Sequence, residues 1–313
     1  MKVNLLSKKI LGTFLATLIC CSTALAAEPA EGVQILKYDR PANMSYLPDN
    51  FRTAQSIYKS ADKNVPSREG LDKLRLSGSS FFAKKEFKEM MKYLPKEDVV
   101  ILDLRNESHG YINDNAVSWY SRYKTINKCL NAAQIDKREH ELLNNALNSK
   151  NIDIAIQNKD KSVKAFINEK VDSVMTEKEF VESQGVKYHR IPVVDYSAPT
   201  AQNADDFLAF YKSLPKNAWI HAHCEAGVGR TTIFLSMIDM INNADKLSYD
   251  EIMSRQVLLG GEDVRKSSSS DPYKKANYPK RAAFTKHFYD YVKANPDLKM
   301  SYSAWAQQQG YQD

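Results

Sequence analysis

Cysteine is scarce in this chain: there are four in 313 residues, two of them adjacent at Cys20 and Cys21. So few cannot build a disulfide scaffold. A strong excess of one charge is also missing, since 44 Lys and Arg face 38 Asp and Glu. A globally basic protein would suggest nucleic acid as a partner. The near balance argues against one, so any hold on a polyanion has to come from local clusters. Long apolar runs are absent apart from Ile10 to Ile19, and nothing else is long enough to span a membrane. No internal repeat is visible.

Around that one run, Lys2, Lys8 and Lys9 come before it and Ser22-Thr-Ala-Leu-Ala26 after it. This order of charge, apolar run and small residues predicts a signal peptide over 1–26 with an Ala24-x-Ala26 cleavage site. A lipoprotein anchor on Cys20 or Cys21 would put Ile19 or Cys20 where a small residue is normally required. The expected mature chain is soluble, outside the membrane, and periplasmic or secreted. Losing three lysines takes its net charge from +6 to +3 and leaves Cys129 and Cys224 as its cysteines.

The densest chemistry lies in Ala218-Trp-Ile-His-Ala-His-Cys-Glu-Ala-Gly-Val-Gly-Arg-Thr-Thr232. Its apolar start reads as a buried strand, and Ile233, Phe234, Met237, Ile238 and Ile241 recur at helical spacing. A strand that turns straight into a helix aims the free N–H groups of the first turn at one point, with the helix dipole behind them. That point is an anion site, formed by Glu225, Ala226, Gly227, Val228 and Gly229. The glycines permit backbone angles closed to other residues and close approach of a ligand. Arg230 adds a planar fork for two phosphate oxygens. Positive potential at the mouth favours the thiolate of Cys224, a nucleophile, and Thr231 offers it a hydroxyl. A disulfide to Cys129 would quench that nucleophile, so Cys129 is read as a buried free thiol.

The pattern His-Cys-x-x-Gly-x-Gly-Arg-Thr resembles the signature loop of cysteine-dependent phosphatases of the protein tyrosine phosphatase superfamily. The variant here is most similar to the bacterial cysteine (PTP-like) phytases. That resemblance implies hydrolysis of phosphomonoesters of myo-inositol hexakisphosphate through a cysteinyl-phosphate, with no metal and no cofactor.

Elsewhere, 27–50 is polar and proline-dotted and reads as a leader wrapping the surface. Leu71 to Gly78 alternates like a strand, and Ser79 or Ser80 could cap a helix through Tyr93. Val99 to Leu104 is the aliphatic run of a strand buried on both faces. Arg138 to Leu147, Asp205 to Leu214, Ser248 to Leu259 and Tyr278 to Asn295 read as helices, and Gly185 to Val194 as a strand. Short apolar pairs over Ile152 to Val174 suggest small strands. Strands alternating with helices predict an α/β fold, a parallel-rich central sheet flanked by helices over 51–117 and 181–313. The strand-rich 118–180 is read as an inserted β subdomain, which the resemblance implies is a partial β-barrel.

A departing alkoxide needs a proton donor. Asp195, at a strand end in Pro192-Val-Val-Asp-Tyr-Ser-Ala-Pro199, is the candidate, and it fits the general-acid loop of the family. The family has Asp-His where this chain has Asp195-Tyr196, so the substrate contact of Tyr196 is left open. Arg105 and His109, in a segment that resembles the family closely, are placed to line the pocket rim. Arg105 could equally pair with a buried carboxylate. The resemblance also implies a substrate contact for Arg52. Lys159, Lys161 and Lys164 form one basic cluster. Arg265, Lys266, Lys274, Lys275, Lys280 and Arg281 flank a serine-rich loop, with Lys161, Lys266, Lys274 and Lys275 the candidates for substrate phosphates. Gln256 could orient the hydrolytic water or serve only as helix-surface polarity. The loop has no lysine between Cys224 and Arg230, where lipid phosphatases commonly carry one. This favours a soluble substrate over a phosphoinositide, and a protein tyrosine or dual-specificity phosphatase stays the alternative. A non-catalytic phosphate-binding module would need no nucleophile.

Overall fold

The computed structural model describes residues 28–62, 64–96 and 98–311; the expected signal peptide lies outside them. In chain order, β1 (Ile35–Arg40) and β2 (Arg52–Thr53) lead to β3 (Leu76–Ser80), α1 (Lys84–Met91) and β4 (Val99–Arg105). Next come β5 (His109–Ile112), β6 (Asn115–Tyr120), α2 (Ala132–Ser149), β7 (Asn151–Gln157), β8 (Val163–Lys170) and β9 (Val174–Met175). The chain continues through α3 (Glu177–Ser183), β10 (Lys187–Val193), α4 (Ala201–Ser213) and β11 (Trp219–Cys224). It closes with α5 (Gly229–Asn243), α6 (Tyr249–Leu258), α7 (Pro272–Ala294) and α8 (Tyr302–Gln308).

The central sheet has the order β10-β4-β11-β3-β2, parallel throughout except for the short edge strand β2. All seven residues of β4 are buried, as a strand covered on both faces requires. Val100 and Leu102 join Phe207 of α4 and Phe234 of α5 on one face. Val99 and Ile101 join Phe87 of α1 and Phe180 of α3 on the other. The α/β reading holds. In such a sheet, ligands bind where strand ends meet helix N-termini, and β11 delivers Cys224 to that edge.

A second, mixed sheet runs β8-β7-β1-β6-β5-β9. It packs on α2 through Leu36, Val117, Trp119, Ile154 and Leu143. It takes in more chain than 118–180: β5 and half of β6 precede that span, and β1 comes from the segment read as a leader. β1 sits mid-sheet, antiparallel to β6 and parallel to β7.

Several helix boundaries differ from expectation: α2 begins six residues before Arg138 and α4 four before Asp205. Ser79 and Ser80 end a strand rather than cap a helix. α1 starts after Ala83, whose N–H donates to the Glu86 carboxylate at 2.8 Å, so an acid three residues into the helix replaces the missing side-chain cap. α7 begins six residues before Tyr278 and runs through Pro279. Asp271 caps it, accepting from the Lys274 N–H, and Pro272 opens its first turn, where proline costs nothing.

Candidate active site

The loop from Cys224 to Arg230 is built backwards from its carbonyls. Glu225 O accepts from the Phe81 N–H at 3.0 Å, Ala226 O from Asn50 Nδ2 at 2.9 Å, and Gly227 O from Arg52 Nη1 at 2.7 Å. In a planar peptide the N–H points opposite to the C=O. Engaging the carbonyls outward therefore turns the amides into the bowl, next to the α5 N-terminus, as an anion cradle needs. Gly227 has φ +71°, and a Cβ there would lie 2.2 Å from the Ser79 carbonyl carbon. Only glycine fits.

Cys224 is 3% exposed. Burial alone pushes its thiol up, but Arg230, the Thr231 side chain and the Thr231 amide outweigh it and hold the thiol below its ordinary value. The Thr231 hydroxyl donates to Sγ at 3.3 Å. Arg230 is gripped from behind by Glu107, Nη1 to Oε2 at 2.8 Å and Nη2 to Oε1 at 3.0 Å. This bidentate pair fixes the guanidinium plane. Its Nε is buried without a partner among the described residues. Asp195 stands across the bowl, with Oδ1 3.3 Å from Arg230 Nη2 and Oδ2 2.6 Å from Lys124 Nζ. Burial would raise its carboxyl, yet Arg230 and Lys124 lower it. Tyr196, next in the chain, is held at φ +64°, a conformation that costs a non-glycine residue about 1–3 kcal/mol.

Three functional side chains lie outside the sequence reading. Glu107 sat unremarked between Arg105 and His109, although the alternation of Arg105, Glu107 and His109 puts all three on one side of the chain. Lys37 of β1 and Lys124, from the turn after β6, bind Glu225; Lys37 Nζ is 2.8 Å from Oε1, and Lys124 Nζ contacts Oε2. Lys161 approaches the same Oε1 to 3.8 Å. Burial pushes the Glu225 carboxyl up, but Lys124 and Lys37 bring it well below the usual carboxylate range. A cavity of about 890 Å³ opens beside Glu225, lined by Lys37, Arg40, Lys159 and Lys161 among others.

Other expected residues lie elsewhere. Arg105 and His109 are not on the rim: both are fully buried. Arg105 pairs with Asp39 and Glu107, each at 3.0 Å, the carboxylate pairing left open above. His109 Nε2 is 2.8 Å from Glu177 and its Nδ1 meets the Glu107 carbonyl at 2.9 Å. Alternating polar residues at a strand end carry the same signal whether they face solvent or a buried ion network. Arg52 is also buried, behind the loop, donating to Gly227 O and to Thr232 Oγ1 at 3.1 Å. Burial lowers its guanidinium to about 10. It braces the cradle rather than facing a ligand.

Lys274 places its ammonium 4.4 Å over the Tyr196 ring, beside the acid loop. Lys266 is exposed and pairs with Asp263 at 3.9 Å, and Lys275 lies on the exposed face of α7. Gln256 is buried and donates to Asp239 at 2.8 Å, which removes it from the water-orienting role. Cys129 is exposed, not buried. Asp103, Glu177 and His223 bring three metal-ligand atoms within 4.8 Å of one another. Those carboxylates already have partners: Arg190 Nε lies 3.1 Å from Asp103 and His109 Nε2 lies 2.8 Å from Glu177.

A family model for PTP-like phytases, described as inositol hexakisphosphate, matches residues 102–242. A solved PTP-like phytase from Bdellovibrio bacteriovorus is 32% identical, with TM-score 0.69, over 90% of this chain and 97% of its own. The chain belongs to the PTP-like phytase family. The PTP-like myo-inositol phosphatase of Mitsuokella multacida, solved with myo-inositol-(1,3,4,5)-tetrakisphosphate, is 38% identical with TM-score 0.86. That match covers 93% of this PTP-like phytase chain and 50% of the Mitsuokella chain. Effector protein hopD2 of Pseudomonas syringae pv. tomato is 26% identical over 243 residues, 75% of this chain and 52% of its own length. The chain thus spans about half the length of the Mitsuokella and Pseudomonas relatives.

Proposed function

We propose that this chain is a cysteine-dependent inositol polyphosphate phosphatase, exported to the periplasm or beyond, acting on myo-inositol hexakisphosphate. The observation that carries this is one bowl holding a lowered thiol, a clamped Arg230 and Asp195, with a second cavity alongside that has Lys159 and Lys161 on its wall. A single phosphomonoester needs only the bowl, whereas a ring bearing several phosphates needs cations around it. Lys159 and Lys161, between β7 and β8, supply them on the side of the second sheet, and Lys274 on the acid-loop side. The tetrakisphosphate bound by the Mitsuokella relative supports the same substrate class.

In the reaction, the loop amides and Arg230 hold one phosphate, stabilising charge that grows on its oxygens. The Cys224 thiolate attacks phosphorus in line and the ester P–O bond breaks. The departing alkoxide takes the Asp195 proton. Asp195, now ionised, takes a proton from water as that water attacks the cysteinyl-phosphate, releasing inorganic phosphate and regenerating the thiolate.

The test is phosphate release from myo-inositol hexakisphosphate by wild type and Cys224→Ser, with a phosphotyrosine peptide in parallel. Wild type should favour the inositol phosphate, and the variant should lose turnover on both. Full turnover by Cys224→Ser sinks the mechanism, and equal or better turnover of the peptide sinks the substrate class.

A further inference from the structure

Lys124 occupies an unusual place. It is 4% exposed, and its ammonium meets Asp195 at 2.6 Å, contacts Glu225, and lies 3.6 Å from Glu107. It stands in a turn with two consecutive left-handed residues, Tyr123 at φ +61° and Lys124 at φ +55°, each disfavoured for a side chain of this size. The turn is held rigidly. The Tyr123 ring stacks on Tyr273 of α7 at 4.3 Å and 16°, and its hydroxyl donates to Asp271 at 2.8 Å. Asn127 ties the turn to 106–108, donating from Nδ2 to Asn106 O and Ser108 Oγ, each at 2.9 Å. Two structural elements thus hold a strained turn whose one inward product is an ammonium beside the acid.

Asp195 has two cations within 4 Å among the described residues, Arg230 and Lys124. Lys124 is the nearer of the two, and Arg230 is already shared with Glu107. The other groups facing it act differently. Glu107 and Glu225 repel its charge, as does the Cys224 thiolate. From α7, Tyr273 and Tyr278 stand nearby, and Lys274 lies over Tyr196. We propose that Lys124 is a positioning residue for the general acid: it fixes the Asp195 carboxyl above Cys224 and ties it to Glu225 of the phosphate loop. The proposal rests on Asp195 being the proton donor in the reaction proposed above.

Its consequence has a definite sign. An ammonium at this distance favours the ionised carboxyl, and the donor works only when protonated. Removing the charge therefore lets the acid stay protonated to higher pH, by about one pH unit, while loss of placement slows the step. The experiment is the pH profile of kcat/KM, which reports the free enzyme, for wild type, Lys124→Met and Lys124→Arg. Phenyl phosphate is used because its phenolate needs a proton, and p-nitrophenyl phosphate because its leaving group departs without one.

On phenyl phosphate, Lys124→Met should move the alkaline limb up by about one pH unit and lower the plateau about ten-fold. Lys124→Arg should keep the wild-type limb, and p-nitrophenyl phosphate should respond far less. An unmoved limb in Lys124→Met overturns the proposal, as does an equal move in Lys124→Arg. Loss of p-nitrophenyl phosphate turnover in Lys124→Met also overturns it, since Lys124 would then hold the phosphate loop and not the acid. Failure of wild type on myo-inositol hexakisphosphate with the phenyl phosphate shift intact would refute the substrate reading alone.

Discussion

Replacing Glu107 by alanine removes a carboxylate that three buried cations share: Arg230 bidentately, Arg105 Nε at 3.0 Å, and Lys124 at 3.6 Å. Breaking a buried ion pair by deleting one partner typically costs about 3–5 kcal/mol. Here each cation keeps another acceptor: Arg230 the Val193 carbonyl at 3.0 Å, Arg105 the Asp39 carboxylate, and Lys124 both Asp195 and Glu225. The cost should therefore fall at the low end, about 3 kcal/mol, which in a chain this size lowers Tm by about 8 °C. Glu107→Gln keeps the shape and one acceptor oxygen, and should fall between the two.

Activity should suffer separately, because a guanidinium no longer held in plane is misplaced by about an ångström, and kcat should drop about 100-fold. The Glu107 carboxyl is held well below its ordinary 4.5: burial raises it, but Arg230, Lys124 and Arg105 bring it down. A depressed carboxyl stabilises the fold fully above its unfolded pKa, and loses that contribution as pH falls through the folded value. The gap between wild type and Glu107→Ala should thus shrink as pH drops below about 4.5. Thermal melts from neutral to acid pH with parallel kinetics test this. A variant that melts within about 2 °C of wild type at neutral pH would refute the shared-anion reasoning.

Gly227→Ala forces a left-handed alanine and drives its Cβ to within 2.2–2.4 Å of the Ser79–Ser80 backbone, so the urea midpoint should reflect a loss of about 3 kcal/mol. An unchanged or raised midpoint would show that the loop can relax. Thr231→Ala removes the donor to Sγ, so the Cys224 thiol should rise, the pH midpoint of iodoacetate inactivation should move upward, and kcat should fall about ten-fold. A midpoint that stays put would assign the thiolate to Arg230 and the amides alone.

Legibility in the sequence tracked the range of the interactions. The signature loop was readable because its chemistry is contiguous: nucleophile, glycines, arginine and helix start within a few residues. β4, β11 and α6 were readable for the same reason, their cores or caps being local. What escaped depends on partners far along the chain. Lys37 and Lys124 carry no local sign that they converge on Glu225, since a lysine in a strand or a polar turn is ordinarily a solvated charge. Arg105 and His109 were visible as polar residues at a strand end, but their burial depends on Arg190, Glu139 and Glu177 arriving from three other elements. The second sheet was under-read because Ile35-Leu-Lys-Tyr-Asp-Arg40 lies in a proline-dotted stretch, and its strand character is fixed by neighbours on both sides.

The central place of β1 in that sheet has a consequence for how the chain comes to be folded. β1 is made before both of its partners: Tyr38 pairs with Val117 and Lys37 with Ala155, so at roughly 5–20 residues per second it waits about 4 to 24 s for its neighbours. During that wait it is an open strand with both edges bare, the situation that invites pairing with another nascent chain. Lys37, Asp39 and Arg40, which end up as ion-pair partners in the finished protein, are in the meantime the charges that keep the lone strand in water. The same side chains guard the newborn chain and furnish the mature one.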